Sequence, residues 1–327
     1  MMTPKMSNYP WGNLITPSTV GEYVAKLVPE KDNPQGRRVF WAKSWEAHPS
    51  LLIEYEADTW KPISLPAFKN IRVSDHKMEC SLVIELLDLD MSDIFLKVCL
   101  DIIAALQEVP EGAARKVAVL RLERWSSFLK PSRSKLSSEA QKGLIAELRF
   151  LRRDAFEAYE IEDALRGWTG PDSGPRDFAY GQLFVEVKSK RGSANASIAI
   201  SSEDQLNVNP SEHLYLFVSE LNDAPLENDA AVTITDVVEE TRLLIDSPLQ
   251  RATFDNKLAN VGFFDEDDYS DQKWSEGESY YYAVIDGFPK IDSKACDPGV
   301  SKVSYQVDLD YCGDFLVDRD AVIKFME

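Results

Sequence analysis

The chain has 327 residues, 44% hydrophobic and 28% charged, which is enough to bury a large core in a globular protein of two or three domains. Its formal net charge of −19 argues against nucleic-acid binding by the whole surface. No signal peptide or membrane-length apolar run is recognisable, and Cys80, Cys99, Cys296 and Cys312 are too scattered for a zinc or disulfide framework, so we expect a cytoplasmic protein.

Residues 1–112 have the pattern of a β-rich N-terminal domain. Alternation of apolar and polar residues predicts strands of an antiparallel sheet at 38–42, 50–55, 71–73 and 80–86. Helical spacing follows at 93–106, before Pro110. A second helix is predicted over 113–129, with Pro131 ending it.

Residues 113–210 are expected to form the central domain, which begins with a basic segment. Between positions 115 and 153, eleven basic residues stand against three acidic ones. The helix predicted from Ser137 or Ser138, with Ser138 and Gln141 as a capping box, carries Gly143 and Glu147 on one face. One explanation of these charges is a helical face exposed to solvent. The other is that they contact phosphates, because the segment precedes the motif at residues 171–191. The expected DNA-contacting residues are Arg121, Arg124, Arg149, Arg152, Arg153, Lys190 and Arg191.

The segment 171–191 is the most informative part of the chain. Strand alternation places Glu186 and Lys188 on one face, and a turn at 180–182 would bring Asp177 back toward Glu186. Two carboxylates and one ammonium suit a divalent cation and an activated water, as in phosphodiester hydrolysis. An exposed cross-strand ion pair is the alternative for Glu186 and Lys188. Asp172 competes with Asp177, but its Pro-Asp-Ser-Gly-Pro context is typical of a turn.

A strand at 196–202 and a helix from about Ser202 complete the central region. Gln205, on that helix, either partners a Ser202 helix cap or orients the lysine and contacts the substrate strand. Glu147 likewise has two interpretations, a metal-positioning acid or a helix-surface acid paired with an arginine.

Glu147, Asp177, the Glu186–Lys188 pair and Gln205, in this order over residues 137–210, resemble the PD-(D/E)XK nuclease superfamily. The resemblance is closest to restriction-endonuclease-like PD-(D/E)XK motif proteins beside bacterial phage-defence genes. It implies an α/β core, a mixed sheet flanked by helices, within a chain that is α+β overall. It also implies that Asp177, Glu186 and the Val187 carbonyl hold Mg²⁺ (or Mn²⁺) and that Glu147 positions this ion or a second one. Lys188 would orient the attacking water or stabilise the oxyanion.

Residues 211–327 are expected to form an acidic α+β C-terminal region, with strands at 213–218, 232–235, 280–285 and 303–309 and a helix at 236–245. Together with the resemblance, these features predict a Mg²⁺-dependent DNA endonuclease, similar to type II restriction enzymes, that acts in phage defence. The alternatives are a non-cleaving DNA-binding or assembly subunit of a defence complex and a nuclease acting on RNA or a repair intermediate. Besides DNA, the candidate partners are other defence proteins and a second copy of the chain.

Overall fold

The computed structural model of the chain describes residues 9–129, 134–192, 196–291, 297, 300 and 302–326. The chain divides into two compact units, residues 1–131 and 132–327. None of the helices formed by the described residues combines the length and the apolar character that crossing a membrane requires. Cys80, Cys99 and Cys312 are free thiols, and Cys296 lies outside the described residues.

The first unit is built on a five-stranded antiparallel sheet with strand order β1-β2-β3-β5-β4. Its strands are β1 (Tyr23–Leu27), β2 (Val39–Ser44), β3 (Pro49–Glu54), β4 (Ile71–His76) and β5 (Ser81–Leu86), followed by helices α1 (Ser92–Gln107) and α2 (Glu111–Phe128). The buried Trp11 ring contacts Trp41 of β2 and Phe95 of α1, so α1 packs against the sheet. The four predicted strands and both predicted helices are confirmed. Strand β1 was missed because most of this edge strand is exposed and lacks a buried alternating face.

The second unit begins with a long helical segment. Helix α3 (Ser138–Phe150) continues through a π-helical turn (Leu151–Ala155) into α4 (Phe156–Ala158), and α5 (Ile161–Gly167) follows. The strands are β6 (Phe178–Tyr180), β7 (Leu183–Lys190), β8 (Ser197–Ile200), β9 (His213–Ala224), β10 (Lys273–Ala283), β11 (Tyr305–Asp308) and β12 (Leu316–Val317). The remaining helices are α6 (Ile234–Leu243), α7 (Pro248–Val261) and α8 (Arg319–Met326).

A five-stranded mixed sheet forms the centre of the second unit, in the order β12-β10-β9-β7-β6, with β7 and β9 parallel. Alternate residues of β9 enter different cores. Phe217 and Leu221 pack with α3, α6, α7 and α8, whereas Leu216 and Val218 pack with the two-stranded β8–β11 sheet. Both faces are therefore covered, and the predicted mixed-sheet α+β fold is confirmed.

Three predictions about individual strands and helix ends in the second unit were wrong. Residues 232–235 do not form a strand, because Thr233 and Asp236 make a capping box that begins α6 at Ile234. Ser137 rather than Ser138 caps α3, accepting from the Ala140 N–H. The helix expected near Ser202 is a single 3₁₀ turn, Glu203–Leu206.

The division into two units also differs from the three regions drawn from the sequence. Helix α2, which lies beyond the predicted boundary at 112, packs with α1 inside the first unit. Strand β9, beyond the boundary at 210, pairs with the whole length of β7 through its residues 213–220. A parallel pair is joined by a crossover connection, so the partner of a central strand can lie well downstream in sequence.

Candidate active site

The hairpin of β6 and β7 places the motif acids next to each other. Phe178 pairs with Val185, so the same antiparallel register sets Asp177 opposite Glu186. Gly181, with φ of 65°, makes the tight turn. Asp177, just before the first residue of β6, accepts a 2.7 Å hydrogen bond from the Val187 N–H through its Oδ2. The structure thus has the hairpin that the sequence predicted.

Glu186 and Lys188 form a close ion pair on one face of β7. Their neighbours Val185 and Val187 belong to the core beneath α3, so the charged residues point to the other face. Lys188 Nζ donates to Glu186 Oε1 at 2.6 Å. Glu186 is fully buried, and its second oxygen, Oε2, is a buried atom without a hydrogen-bond partner. A buried carboxylate oxygen with no donor is costly and therefore marks a position where a cation or another ligand would be favourable.

Gln205 lies beside the lysine. Its Oε1 accepts from the Ser201 N–H at 2.8 Å and lies 3.4 Å from Lys188 Nζ. Ser202 does cap the 3₁₀ turn, but its side chain accepts from Asp204 N–H. The Gln205 side chain is therefore turned toward Lys188 and Ser201.

Glu147 reaches the same area from α3. Its Oε2 accepts a 2.7 Å hydrogen bond from the indole Nε1 of Trp168, not from an arginine. A Cβ placed on Gly170 would lie 3.2 Å from this Glu147 oxygen and 3.2 Å from Asp177 Oδ1, so a larger residue would crowd the place where the two carboxyl groups converge. The N–H groups of Thr169 and Gly170 both donate to the Asp177 carbonyl. The sequence analysis missed Trp168 and Gly170, because nothing in this Gly- and Pro-rich loop distinguishes them from ordinary turn residues.

All three acids have a raised pKa. Burial, and then the charge of Asp177, raise the pKa of Glu186 to about 7, although Lys188 opposes the shift. Burial and the charge of Asp177 also raise the pKa of Glu147 well above its usual value. For Asp177, burial raises the pKa against the opposing effects of Lys188 and the Val187 N–H. Crowded, desolvated carboxyl groups with raised pKa values are typical of functional sites, and a bound cation would favour their ionised forms.

Asp172 has a separate structural role. Lys257 Nζ donates to its Oδ2 at 2.5 Å and to the Trp168 carbonyl at 2.6 Å, which ties α7 to the loop before β6. Asn260 Nδ2 lies 3.3 Å from the other Asp172 oxygen. Because these partners engage both oxygens, the geometry favours Asp177 as the acid facing Glu186.

The site residues fit a hard divalent cation by their chemistry. Carboxylate oxygens and a backbone carbonyl are the ligands that Mg²⁺ and Mn²⁺ take, and Asp177, Glu186 and Val187 offer them within one hairpin. Among the described residues, three carboxylate or imidazole ligand atoms come within 4.8 Å of one another only at Glu46, His48 and Glu85, so the three site acids are more widely spread.

Most of the predicted DNA-contacting side chains of the second unit are already paired. Arg149 is buried and donates to Ser219 Oγ and the Gly277 carbonyl, so its prediction as a phosphate contact was wrong. Arg152 forms ion pairs with Glu240 and Glu276, and Lys190 pairs with Glu220. Arg153 is exposed, as is Arg191, which pairs with the equally exposed Asp223.

The other two predicted DNA-contacting residues of the segment, Arg121 and Arg124, lie in the first unit. Arg121 lies 3.9 Å from Asp101, Arg124 also has a partner, and Lys130 and Arg133 fall outside the described residues. The net excess of basic residues in the sequence is therefore a poor guide to accessible positive charge.

Comparison with known proteins gives one family. Residues 7–310, nearly the whole chain, match the model of a family described as "Putative PD-(D/E)XK family member, (DUF4420)". No curated protein and no solved structure matches the chain.

Proposed function

The chain belongs to this PD-(D/E)XK family, and on that premise we propose that it is a divalent-metal-dependent nuclease that cleaves DNA. One observation carries the proposal: the fully buried Glu186 faces Asp177, pairs with Lys188 through one oxygen and has no partner for the other. Two acids and a lysine held in this way are the minimum set for metal-assisted phosphodiester hydrolysis. In a purely structural ion pair, the great majority of buried carboxylate oxygens have a donor.

The side chains have distinct roles in this proposal. Asp177, Glu186 and the Val187 carbonyl would hold Mg²⁺ or Mn²⁺, which polarises the scissile phosphate and makes water more acidic. Lys188 Nζ, held between Glu186 Oε1 and Gln205 Oε1, would direct its one remaining N–H group to the attacking water or to a phosphate oxygen. Glu147, which accepts a hydrogen bond from Trp168, would influence the position of the cation, because its carboxyl group lies near that of Asp177 beside Gly170.

The test is cleavage of plasmid and phage DNA with Mg²⁺ or Mn²⁺ by wild-type protein and by Lys188→Ala. We expect the variant to lose about 10²- to 10³-fold in rate with metal affinity largely kept, because it removes an electrostatic group and no ligand. Lys190→Ala is the matched control, since Lys190 follows on the same strand face but pairs with Glu220. Equal rates for wild type and Lys188→Ala would contradict the proposal.

DNA as the substrate is tested by binding in a Ca²⁺ buffer at rising salt, because phosphate contacts release counterions. We propose Arg153 and Arg191 as contacts, since both are exposed. Charge reversal at either should weaken binding for all sequences, whereas reversal at the buried Arg149 would disturb the fold. If RNA competes more strongly than DNA, the substrate is RNA.

A role in phage defence predicts fewer plaques on cells that make wild-type protein than on cells that make Lys188→Ala.

A non-cleaving DNA-binding or assembly subunit is the second candidate. The spread of the three acids beyond 4.8 Å favours it, and the internal pairing of Arg152 and Lys190 favours the assembly role over DNA binding. Metal binding lost in Asp177→Asn/Glu186→Gln, with no nucleic acid cut under any condition, would support this candidate over the nuclease.

A further inference from the structure

A second cluster of metal-ligand side chains lies in the first unit, in the antiparallel sheet. Glu46 and His48 occupy the turn between β2 and β3, and Glu85 lies on β5. Ser50 pairs with Glu85, and His48 precedes Ser50 by two residues, so the imidazole lies on the same side of the sheet as the carboxylate. One ligand atom from each of the three residues comes within 4.8 Å of the others.

Two atoms of the cluster are buried without hydrogen-bond partners. Glu85 is 1% exposed, and both its Oε1 and the Nδ1 of His48 lack a partner. These atoms lie 3.4 Å apart, and Glu46 Oε2 lies 3.8 Å from His48 Nδ1. Ligand atoms around a tetrahedral Zn²⁺ with bonds of about 2.0–2.2 Å are separated by roughly 3.3–3.6 Å. The spacing of the two atoms therefore matches a shared ion.

Arg72 donates to both carboxylates, and at Glu46 it contacts Oε2, the same oxygen that lies 3.8 Å from His48 Nδ1. Its Nη1 lies 3.0 Å from Glu46 Oε2 and 2.9 Å from Glu85 Oε2, which leaves Glu85 Oε1 free to face the imidazole. Such contacts orient ligating carboxylates in metal sites. With His48 neutral, two carboxylates and one guanidinium leave the cluster with one net negative charge, which favours a cation.

We propose that Glu46, His48 and Glu85 form a binding site for a borderline transition-metal cation of the Zn²⁺ class, with one position left for water. An imidazole ligand favours this class over Mg²⁺ and Ca²⁺, which take oxygen ligands. The site shares no residue with the candidate active site and belongs to the other unit. It would fasten the β2–β3 turn to β5.

The experiment is a Zn²⁺ titration of the full chain in competition with a chromophoric chelator. Wild type and Asp177→Asn/Glu186→Gln should both bind one Zn²⁺ at this site, because the double variant alters only the other site. His48→Gln should weaken that binding at least tenfold, while His213→Gln, which changes an exposed histidine of the other unit, should leave it unchanged. Co²⁺ in place of Zn²⁺ should give a visible absorption band that His48→Gln removes.

Two outcomes would overturn the proposal. One is equal Zn²⁺ affinity in wild type and His48→Gln, and the other is loss of all Zn²⁺ binding in Asp177→Asn/Glu186→Gln. If His48→Gln does not fold, Glu46→Gln replaces it, because the Glu46 side chain is partly exposed. Full Zn²⁺ affinity in a folded Glu46→Gln together with an unchanged Co²⁺ band would then refute the site. Because these readouts do not use cleavage, they are independent of the nuclease proposal.

Discussion

Replacing Glu186 with glutamine is expected to stabilise the fold at pH 8 and to have little effect near pH 4. Folding raises the pKa of this acid from its usual 4.5 to about 7, because burial and Asp177 outweigh Lys188. The folded state thus holds the proton more tightly than the unfolded state. The cost of ionising Glu186 is absent below pH 4.5, grows as the pH rises, and is complete above about pH 7.

The difference of about 2.5 pKa units corresponds to roughly 3 kcal/mol at 1.36 kcal/mol per unit. Glutamine cannot ionise, so it mimics the protonated acid and avoids this cost. For a unit of 150–250 residues, roughly 3 kcal/mol amounts to a rise of about 6–12 °C in Tm. The effect should be seen by thermal denaturation in a metal chelator at pH 8, and Mn²⁺ should raise the Tm of wild type more than that of the variant.

Glu220 supplies a matched control for this experiment. It lies on the neighbouring strand β9 and accepts from Lys190 at 2.6 Å, a contact that lowers the pKa of the acid. Glu220→Gln should therefore destabilise the protein at pH 8, the opposite direction. A Glu186→Gln variant that is destabilised at pH 8 would refute the reasoning, because the ionised Glu186 would then be a favourable partner of Lys188.

Three further substitutions separate packing from function. Gly143→Ala should stabilise the second unit by up to about 1 kcal/mol, because a Cβ there meets no atom within 4 Å, and chemical denaturation measures the gain; a loss of stability would show a packed position. Gly170→Ala should weaken Mn²⁺ binding in calorimetry by crowding the two converging carboxyl groups, and unchanged affinity would count against their shared role. Asp172→Asn should lower Tm by removing the ion pair with Lys257 while leaving Mn²⁺ affinity intact, whereas loss of metal would return Asp172 to the candidate ligands.

The hairpin and its charged face could be read from the sequence because both are local. Alternation along β7 and the glycine turn determine which residues face each other, and Asp177, Glu186 and Lys188 lie within twelve positions. The alternation of apolar and polar residues likewise predicted the strands β2 to β5.

Contacts between distant segments could not be read in the same way. Trp168 reaches Glu147 only because α5 and α3 meet in the folded chain, and Asp172 is occupied because α7 delivers Lys257. The charges of Arg149 and Arg152 are satisfied by β10, more than a hundred residues later. The number of charged residues is known from the sequence, whereas the solvent accessibility of each side chain depends on which distant segment packs over it.

The hydrogen bond from the Val187 amide to Asp177 gives this acid two functions at once. Just before β6 begins, the side chain of Asp177 takes the place of a backbone acceptor and continues the ladder along β7 by one rung. Alanine at this position would remove a proposed cation ligand and also leave an amide of β7 without an acceptor. Asparagine keeps an oxygen that can accept from Val187 while removing the charge. The Val187 amide proton is consequently a built-in reporter: its NMR shift should follow the ionisation of Asp177, so occupancy of the site can be monitored from the backbone without nucleic acid.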